Sequence, residues 1–85
     1  MRIEPGDSLD LHTFDPRDIP GVVDDFLTMA GTAGFTLVRV IHGRGTGVQR
    51  AVVRRQLARH PLVSEFWDAP ESHLGATLVR LVETT

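Results

Sequence analysis

Near the start of the chain, apolar residues alternate first with the period of a β-strand and then with the period of an α-helix. The run Leu9–His12 (LDLH) alternates apolar and polar residues with a period of two, which predicts a short strand with its leucines in the core. Apolar residues then recur at helical spacing from Ile19 to Ala30, and Gly31 and Gly34 follow as stop signals. This pattern predicts an amphipathic helix with acidic residues outside.

The second part of the chain continues the alternation of strands and helices. Thr36–Ile41 is apolar and β-branched, which predicts a buried strand. Val48–Arg59 has no glycine or interior proline and stops before Pro61, so we expect a helix there. Val63–Trp67 and Ala76–Val82 read as two further strands. The element order is therefore βαβαββ.

This order restricts the topology of the sheet. Right-handed crossovers place both helices on one face, which gives an α/β two-layer sandwich with a four-stranded mixed sheet. We expect the strand order 1-2-4-3, with the last strand antiparallel to the rest. Alternation then puts Asp10, His12, Arg39 and Arg80 on the open face. The two arginines could contact a nucleic-acid backbone, or they could simply lie in water.

Length and composition predict one compact domain. The chain has 85 residues, and we expect a flexible leader over residues 1–7 and a single domain over residues 8–85. No apolar run is long enough for a membrane span, and the acidic start has no signal-peptide pattern, so we expect a cytoplasmic monomer without membrane contact. The absence of cysteine excludes disulfides, thiolate zinc sites and cysteine nucleophiles.

Charge is distributed unevenly along the sequence. The formal net charge is −2, yet residues 39–60 contain six arginines and no acidic residue. Such a cationic block can attract phosphate even when the whole molecule is acidic. All nine basic residues are arginine, which suits bidentate phosphate contacts, although a GC-rich genome would give the same bias.

A glycine-rich segment joins the second strand to the second helix. It reads His42-Gly43-Arg44-Gly45-Thr46-Gly47. Glycines permit positive φ and leave amides unshielded beside a helix N-terminus, which is an anion-binding arrangement. The alternative is a tight turn with no ligand. The candidate phosphate-binding residues are Gly43, Arg44, Gly45, Thr46, Gly47, Arg50 and Arg54.

Two histidines fall at the predicted carboxyl ends of neighbouring strands. His12 and His42 should lie close together there, with Asp10 able to orient His12. Imidazoles titrate near neutral pH and can exchange a proton during phosphodiester cleavage, so these three residues are candidate catalytic groups. Structural roles for both histidines remain the alternative. We expect no required cofactor; a single divalent metal ion on these residues is possible, whereas two-metal chemistry needs more carboxylates.

Other polar and aromatic residues lack this context. His60 is expected at a helix end and His73 in a turn, and neither receives a catalytic role. Trp67 could stack a base, but packing at a sheet edge is the favoured interpretation.

Three motifs together resemble the Smr (small MutS-related) domain family, in its stand-alone bacterial form. They are Leu9–His12, the glycine segment His42–Gly47, and Gly75–Leu81, and the resemblance covers roughly residues 8 to 83. Thr13 stands where family members commonly have glycine. The resemblance implies the βαβαββ sandwich, similar to the C-terminal domain of bacterial translation initiation factor three. It also implies nucleic-acid binding, with endonuclease activity described for several members.

The sequence therefore indicates two alternative functions from different classes. The first is an endonuclease that nicks DNA or RNA with His12, His42 and Asp10 as its catalytic residues. The second is a non-catalytic module that holds nucleic acid, for example a ribosomal RNA junction, through the same loop and arginines.

Overall fold

The computed structural model describes residues 7–43, 47–69 and 75–83. Residues 1–6 of the predicted leader lie outside this part of the chain. The elements are β1 (Ser8–Asp10), a 3-10 turn (Pro16–Asp18), α1 (Ile19–Thr32), β2 (Leu37–Ile41), α2 (Val48–Arg59), β3 (Val63–Asp68) and β4 (Ala76–Leu81). Among the described residues, no helix is long and apolar enough to cross a membrane.

The four strands form one sheet in the order β1-β2-β4-β3. β1 runs parallel to β2, and β4 is antiparallel to both of its neighbours. The predicted fold class, strand order and direction of the last strand are confirmed. The short connection between β3 and β4 favours their antiparallel pairing. Because β4 also pairs with β2, it lies between β2 and β3.

β1 is shorter than the sequence pattern indicates. The pattern predicts a strand to His12, but the strand ends at Asp10. The N–H of Leu11 still donates to the carbonyl of Ile41 at 3.0 Å, whereas the N–H of His12 donates to the Asp10 carboxylate. The side chain of Asp10 therefore turns the chain away from the sheet one residue after this last bond.

The hydrophobic core lies between the sheet and the two helices. Alternate residues of the central strands, Val38, Val40 and Val79, are almost fully buried. They pack in one cluster with residues of both helices, namely Val23, Phe26, Leu27, Ala30, Val53 and Leu57. Because one cluster includes both helices and one face of the sheet, α1 and α2 cover the same face, as predicted.

The open face carries a mixture of polar and apolar side chains. The strand registers place Asp10, Arg39 and Arg80 on this face, as expected from alternation. Arg80 is paired there, since its Nε donates to Glu65 at 2.9 Å and its guanidinium lies 5.6 Å from the centre of the Trp67 ring. Trp67 thus packs against a neighbouring side chain at the edge strand, in agreement with the favoured interpretation.

His60 is a buried structural histidine that links three segments. Its side chain is only 3% exposed, although it follows the last turn of α2. Nδ1 accepts a hydrogen bond from the N–H of Leu62 at 3.1 Å, so Nε2 carries the hydrogen and donates to Thr28 Oγ1 at 3.2 Å. Asp24 of α1 lies 3.5 Å from the same nitrogen. His60 therefore joins α1, the end of α2 and the start of β3.

Replacement of His60 tests this structural role. His60→Ala leaves the Leu62 N–H without its acceptor, and we expect a loss of about 1–3 kcal/mol in the free energy of unfolding. His60→Asn should lose less, because an amide oxygen can accept from the same N–H. Urea unfolding followed by circular dichroism measures both, with the exposed His12→Ala as control. Equal stability of His60→Ala and wild type would contradict the assignment.

Candidate functional site

A cleft opens where β1 and β2 end side by side. It has a volume of about 340 Å³ and is lined by Asp10, His12, Ile41, His42 and Gly43. The parallel register sets Asp10 beside Ile41, so the residues that follow each strand enter the same space. The structure thus brings the three predicted catalytic residues together around one cleft.

Asp10 and His12 form a close pair on the rim of this cleft. Asp10 Oδ1 accepts from the backbone N–H of His12 at 3.0 Å and lies 2.7 Å from His12 Nδ1. These two hydrogen bonds, the backbone one first, hold the pKa of the Asp10 carboxyl below its ordinary value. Because a carboxylate only accepts, Nδ1 carries the hydrogen, and the neutral ring has its lone pair on Nε2.

The remaining nitrogen of His12 is available for chemistry. The side chain is 74% exposed, and Nε2 has no hydrogen-bond partner within the described part of the chain. An imidazole whose Nδ1 is fixed by a carboxylate, with Nε2 open, is arranged to take a proton from a bound group. This geometry suits the predicted acid/base role.

The chain leaves β1 through a tight turn that does not need glycine. The N–H of Phe14 donates to the carbonyl of Leu11 at 3.1 Å, which closes a turn with His12 and Thr13 at its centre. All positive φ angles among the described residues belong to glycines, so Thr13 has negative φ. Threonine is therefore accommodated at this position without backbone strain.

Both ring nitrogens of His42 are engaged. Nδ1 lies 2.9 Å from the carbonyl of Gly43 and must carry the hydrogen, since a carbonyl only accepts. Nε2 of the neutral ring then accepts from the hydroxyl of Thr77, 3.0 Å away. Thr77 is fully buried in β4. His42 is accordingly held in one orientation and must give up a hydrogen bond before it can exchange a proton.

The described ends of the glycine segment are fixed by the fold. Gly43 and Gly47 both have φ of 85°, a conformation that favours glycine. The N–H groups of His42 and Gly43 both donate to the carbonyl of Gly75 at 3.0 Å. The predicted ligands Arg44, Gly45 and Thr46 lie outside the described residues, as does His73.

The two α2 arginines predicted to bind phosphate meet a carboxylate that the sequence analysis did not single out. Arg50 donates to Asp68 through Nε at 3.1 Å and Nη2 at 2.7 Å, and Arg54 Nη1 lies 3.6 Å from the same carboxylate. Asp68 is the last residue of β3 and pairs with Thr77 in the sheet. Its proximity to α2 depends on this register, and the sequence carries no separate signal for it.

The sequence also predicts Asp10, His12 and His42 as the donor set for a single metal ion. Within the described ranges, no group of three or more histidine and acidic side chains is placed to hold a metal ion. Asp10 and His12 are bonded to each other, while His42 is bonded to Gly43 and Thr77. A single bound ion on these three residues stays a prediction.

Fold and cleft together define a small two-layer α/β domain with its candidate site at the carboxyl ends of parallel strands, where such sheets place their ligands. The chain belongs to the Smr domain family, whose model matches residues 9–82. The predicted membership of this family is thereby confirmed over almost the whole chain, while the stand-alone form stays a prediction.

Similar proteins point to the same family. The chain is 48% identical over 61 residues to an endonuclease MutS2 of Caldicellulosiruptor saccharolyticus, and 36% identical over 75 residues to an endonuclease MutS2 of Helicobacter pylori. These alignments cover 69% and 88% of this chain but only 8% and 10% of the relatives. The crystal structure of the Smr domain of Thermus thermophilus MutS2 superposes with a TM-score of 0.81 at 33% identity, covering 91% of this chain and 99% of that one.

The Asp10 carboxyl provides a direct test of the pair. We expect the pKa of this carboxyl to lie below its ordinary value, because the backbone and side-chain hydrogen bonds from His12 stabilise the carboxylate. His12→Ala should raise this pKa only part of the way, because the backbone N–H of residue 12 remains. Carboxyl carbon chemical shifts measured through an acid titration report both values. An Asp10 pKa at or above the ordinary value of an aspartate in the wild type would contradict the hydrogen bonds.

Proposed function

We propose that this chain is an endonuclease that cuts phosphodiester bonds of DNA or RNA, with His12 as the group that exchanges the proton and Asp10 as the carboxylate that orients it. The observation that carries the proposal is His12 itself. Its Nδ1 is fixed by an ionised carboxylate, its Nε2 is open, and it lines a cleft between two strand ends. This arrangement activates a nucleophile next to a bound phosphate.

The chemistry follows from the open nitrogen. His12 Nε2 takes the proton from a water molecule, or from the 2′-hydroxyl in RNA, and the resulting oxygen nucleophile forms a bond to phosphorus. The bond from phosphorus to the leaving sugar oxygen breaks, and that oxygen takes a proton from the imidazolium. The negative charge of Asp10 stabilises the imidazolium between the two steps.

Phosphate binding is assigned to the glycine segment and the first turns of α2. Gly43 and Gly47 supply the positive φ angles that the turn needs, while the N–H of Gly43 is already used by Gly75. The phosphate contacts are therefore assigned to Arg44, the amides from Gly45 to the start of α2, and the guanidinium groups of Arg50 and Arg54.

His42 has a different role in this proposal from that of His12. The sequence predicts it as a second acid/base group, yet its two ring nitrogens are bonded to Gly43 and Thr77. We assign it to the wall of the cleft, where a fixed ring holds the start of the glycine segment beside the reacting phosphate. No metal ion is required for these steps, and a single bound divalent ion stays a prediction.

The name of the relatives supports the nuclease class. The MutS2 proteins are called endonucleases, and the matched segment is a small part of each of them. Transfer of this activity to the present chain is part of the proposal. A cytoplasmic location, monomeric state and binding to a ribosomal RNA junction also stay predictions.

A non-catalytic binding module is the second candidate function. The observation in its favour is the exposure of the pair, since the side chains of His12 and Asp10 are 74% and 44% exposed. Hydrolytic sites are commonly enclosed, and an open pair could instead contact a backbone directly. In that case His12 would contribute to affinity and the protein would leave its ligand intact.

Substitution of His12 separates these functions. His12→Ala removes the group that exchanges the proton, so we expect nicking of supercoiled plasmid or of single-stranded RNA to fall roughly 100-fold or more. Binding of the same oligonucleotide should stay within about twofold, because the phosphate contacts are elsewhere. Gel electrophoresis measures cleavage, and fluorescence anisotropy measures binding.

His73→Ala is the matched control, since the sequence gives that histidine no catalytic role. It should cleave at the wild-type rate. A change in its rate would mean that replacing a histidine by alanine, or the purification, affects the assay by itself. Cleavage by His12→Ala at the wild-type rate would exclude the assignment. If the wild type binds but does not cleave, and His12→Ala loses binding, the binding module is favoured.

Salt dependence tests the phosphate contacts. The double variant Arg50→Ala/Arg54→Ala should bind an oligonucleotide more weakly, because up to two charge contacts are lost. The slope of log affinity against log potassium chloride concentration should become shallower by about one for each lost contact. An unchanged slope would remove both arginines from the interface.

A further inference from the structure

Asp68 occupies the hydrogen-bonding edge of Arg50. The carboxylate receives two parallel hydrogen bonds, from Nε at 3.1 Å and from Nη2 at 2.7 Å. This fork is the geometry with which a guanidinium binds phosphate, because phosphate and carboxylate present oxygens at similar spacing. The same carboxylate also lies 3.6 Å from Nη1 of Arg54. One anion is thus placed where two guanidinium groups of α2 converge.

The Asp68 carboxylate lies next to the proposed phosphate-binding site. Asp68 pairs in the sheet with Thr77, whose hydroxyl bonds His42 on the wall of the cleft. The pKa of Asp68 is held below its ordinary value, chiefly by the hydrogen bonds from Arg50 and further by the positive charges of Arg50 and Arg54. The carboxylate therefore lies in the positive potential that a bound phosphate would experience.

The pairing is open to solvent and can exchange. The side chains of Arg50 and Asp68 are 42% and 56% exposed, and exposed ion pairs of this kind are weak in water. Arg54 is held in place independently of Asp68, since its guanidinium lies 5.2 Å from the centre of the Phe66 ring. An incoming phosphate can therefore replace Asp68 on Arg50 without disturbing the core.

We propose that Asp68 is an internal competitor that occupies the phosphate site formed by Arg50 and Arg54 and sets its affinity for a nucleic-acid backbone. This inference rests on the proposed function, because it takes the phosphate to be that of the bound strand. In the free protein the carboxylate neutralises one of the two cations. On binding, the phosphate takes the Nε and Nη2 edge of Arg50, and Asp68 turns into solvent.

The competitor role predicts a gain of affinity rather than a loss. If Asp68 served only to orient Arg50 for the ligand, its removal would weaken binding. If it occupies the site, Asp68→Asn removes the competing charge, keeps the size of the side chain and leaves both cations for the phosphate. The sign of the change in affinity therefore distinguishes the two roles.

The experiment measures binding of a fluorescent single-stranded oligonucleotide across potassium chloride concentrations. Asp68→Asn should bind roughly two- to fivefold more tightly than wild type, and its salt slope should be steeper by about one. Glu65→Gln is the matched control, because it removes an equal charge from the Arg80 pair on the open face. It should bind like wild type.

A double-mutant cycle identifies the partner through which Asp68 acts. In an Arg50→Ala background, Asp68→Asn should change affinity much less than in the wild type, because the guanidinium for which Asp68 and phosphate compete has been removed. Weaker binding by Asp68→Asn, or a gain equal to that of Glu65→Gln, would overturn the proposal. Thermal melting confirms that each variant is folded before binding is compared.

Cleavage assays run beside the binding assays keep the two proposals apart. Tighter binding by Asp68→Asn without cleavage by any variant would support the competitor and exclude the endonuclease. Cleavage that depends on His12, with no gain from Asp68→Asn, would support the endonuclease and exclude the competitor. Absence of binding by both wild type and Asp68→Asn at low salt would exclude both.

Discussion

Parallel pairing of β1 with β2 is the constraint on which the candidate site depends. β1 has only three residues, and it is held by its register with β2 and by two flanking bonds, from Arg39 N–H to the carbonyl of Asp7 and from Leu11 N–H to that of Ile41. Burial of Leu9 and Leu11 in the core fixes this register, because a slip of one residue would expose both. The same register sets Asp10 beside Ile41, and so His12 and His42 enter one cleft.

The last strand supplies the support behind that cleft. β4 lies between β2 and β3, which places the carbonyl of Gly75 against the amides of His42 and Gly43, and the hydroxyl of Thr77 against the His42 ring. Residues far apart in sequence thus fix the orientation of a side chain at the end of β2. A buried threonine hydroxyl needs a partner, and His42 provides it.

Sequence patterns predicted most of the fold and the core of the site, because both depend on local periodicity and on strand ends. The bounds of α2, the strand order and the meeting of Asp10, His12 and His42 follow from such signals. The roles of Thr77, Asp68 and His60 do not, since they depend on the pairing of β3 with β4 and on contacts between the helices. Alternation alone also predicts that β1 extends to His12. The pattern of apolar and polar residues carries no signal that the His12 N–H donates to the Asp10 side chain instead of to a neighbouring strand.

The stability of this small domain and its proposed chemistry depend on different sets of residues. Large apolar side chains such as Phe26 and Leu57 are fully buried, and truncation of such residues costs about 2–5 kcal/mol. The pairs of Asp10 with His12 and of Arg50 with Asp68 are exposed, and exposed ion pairs contribute little to the stability of the fold. The charges around the cleft can therefore change while the fold persists. On the proposed function, the residues that set affinity or proton transfer can therefore be substituted without loss of the fold.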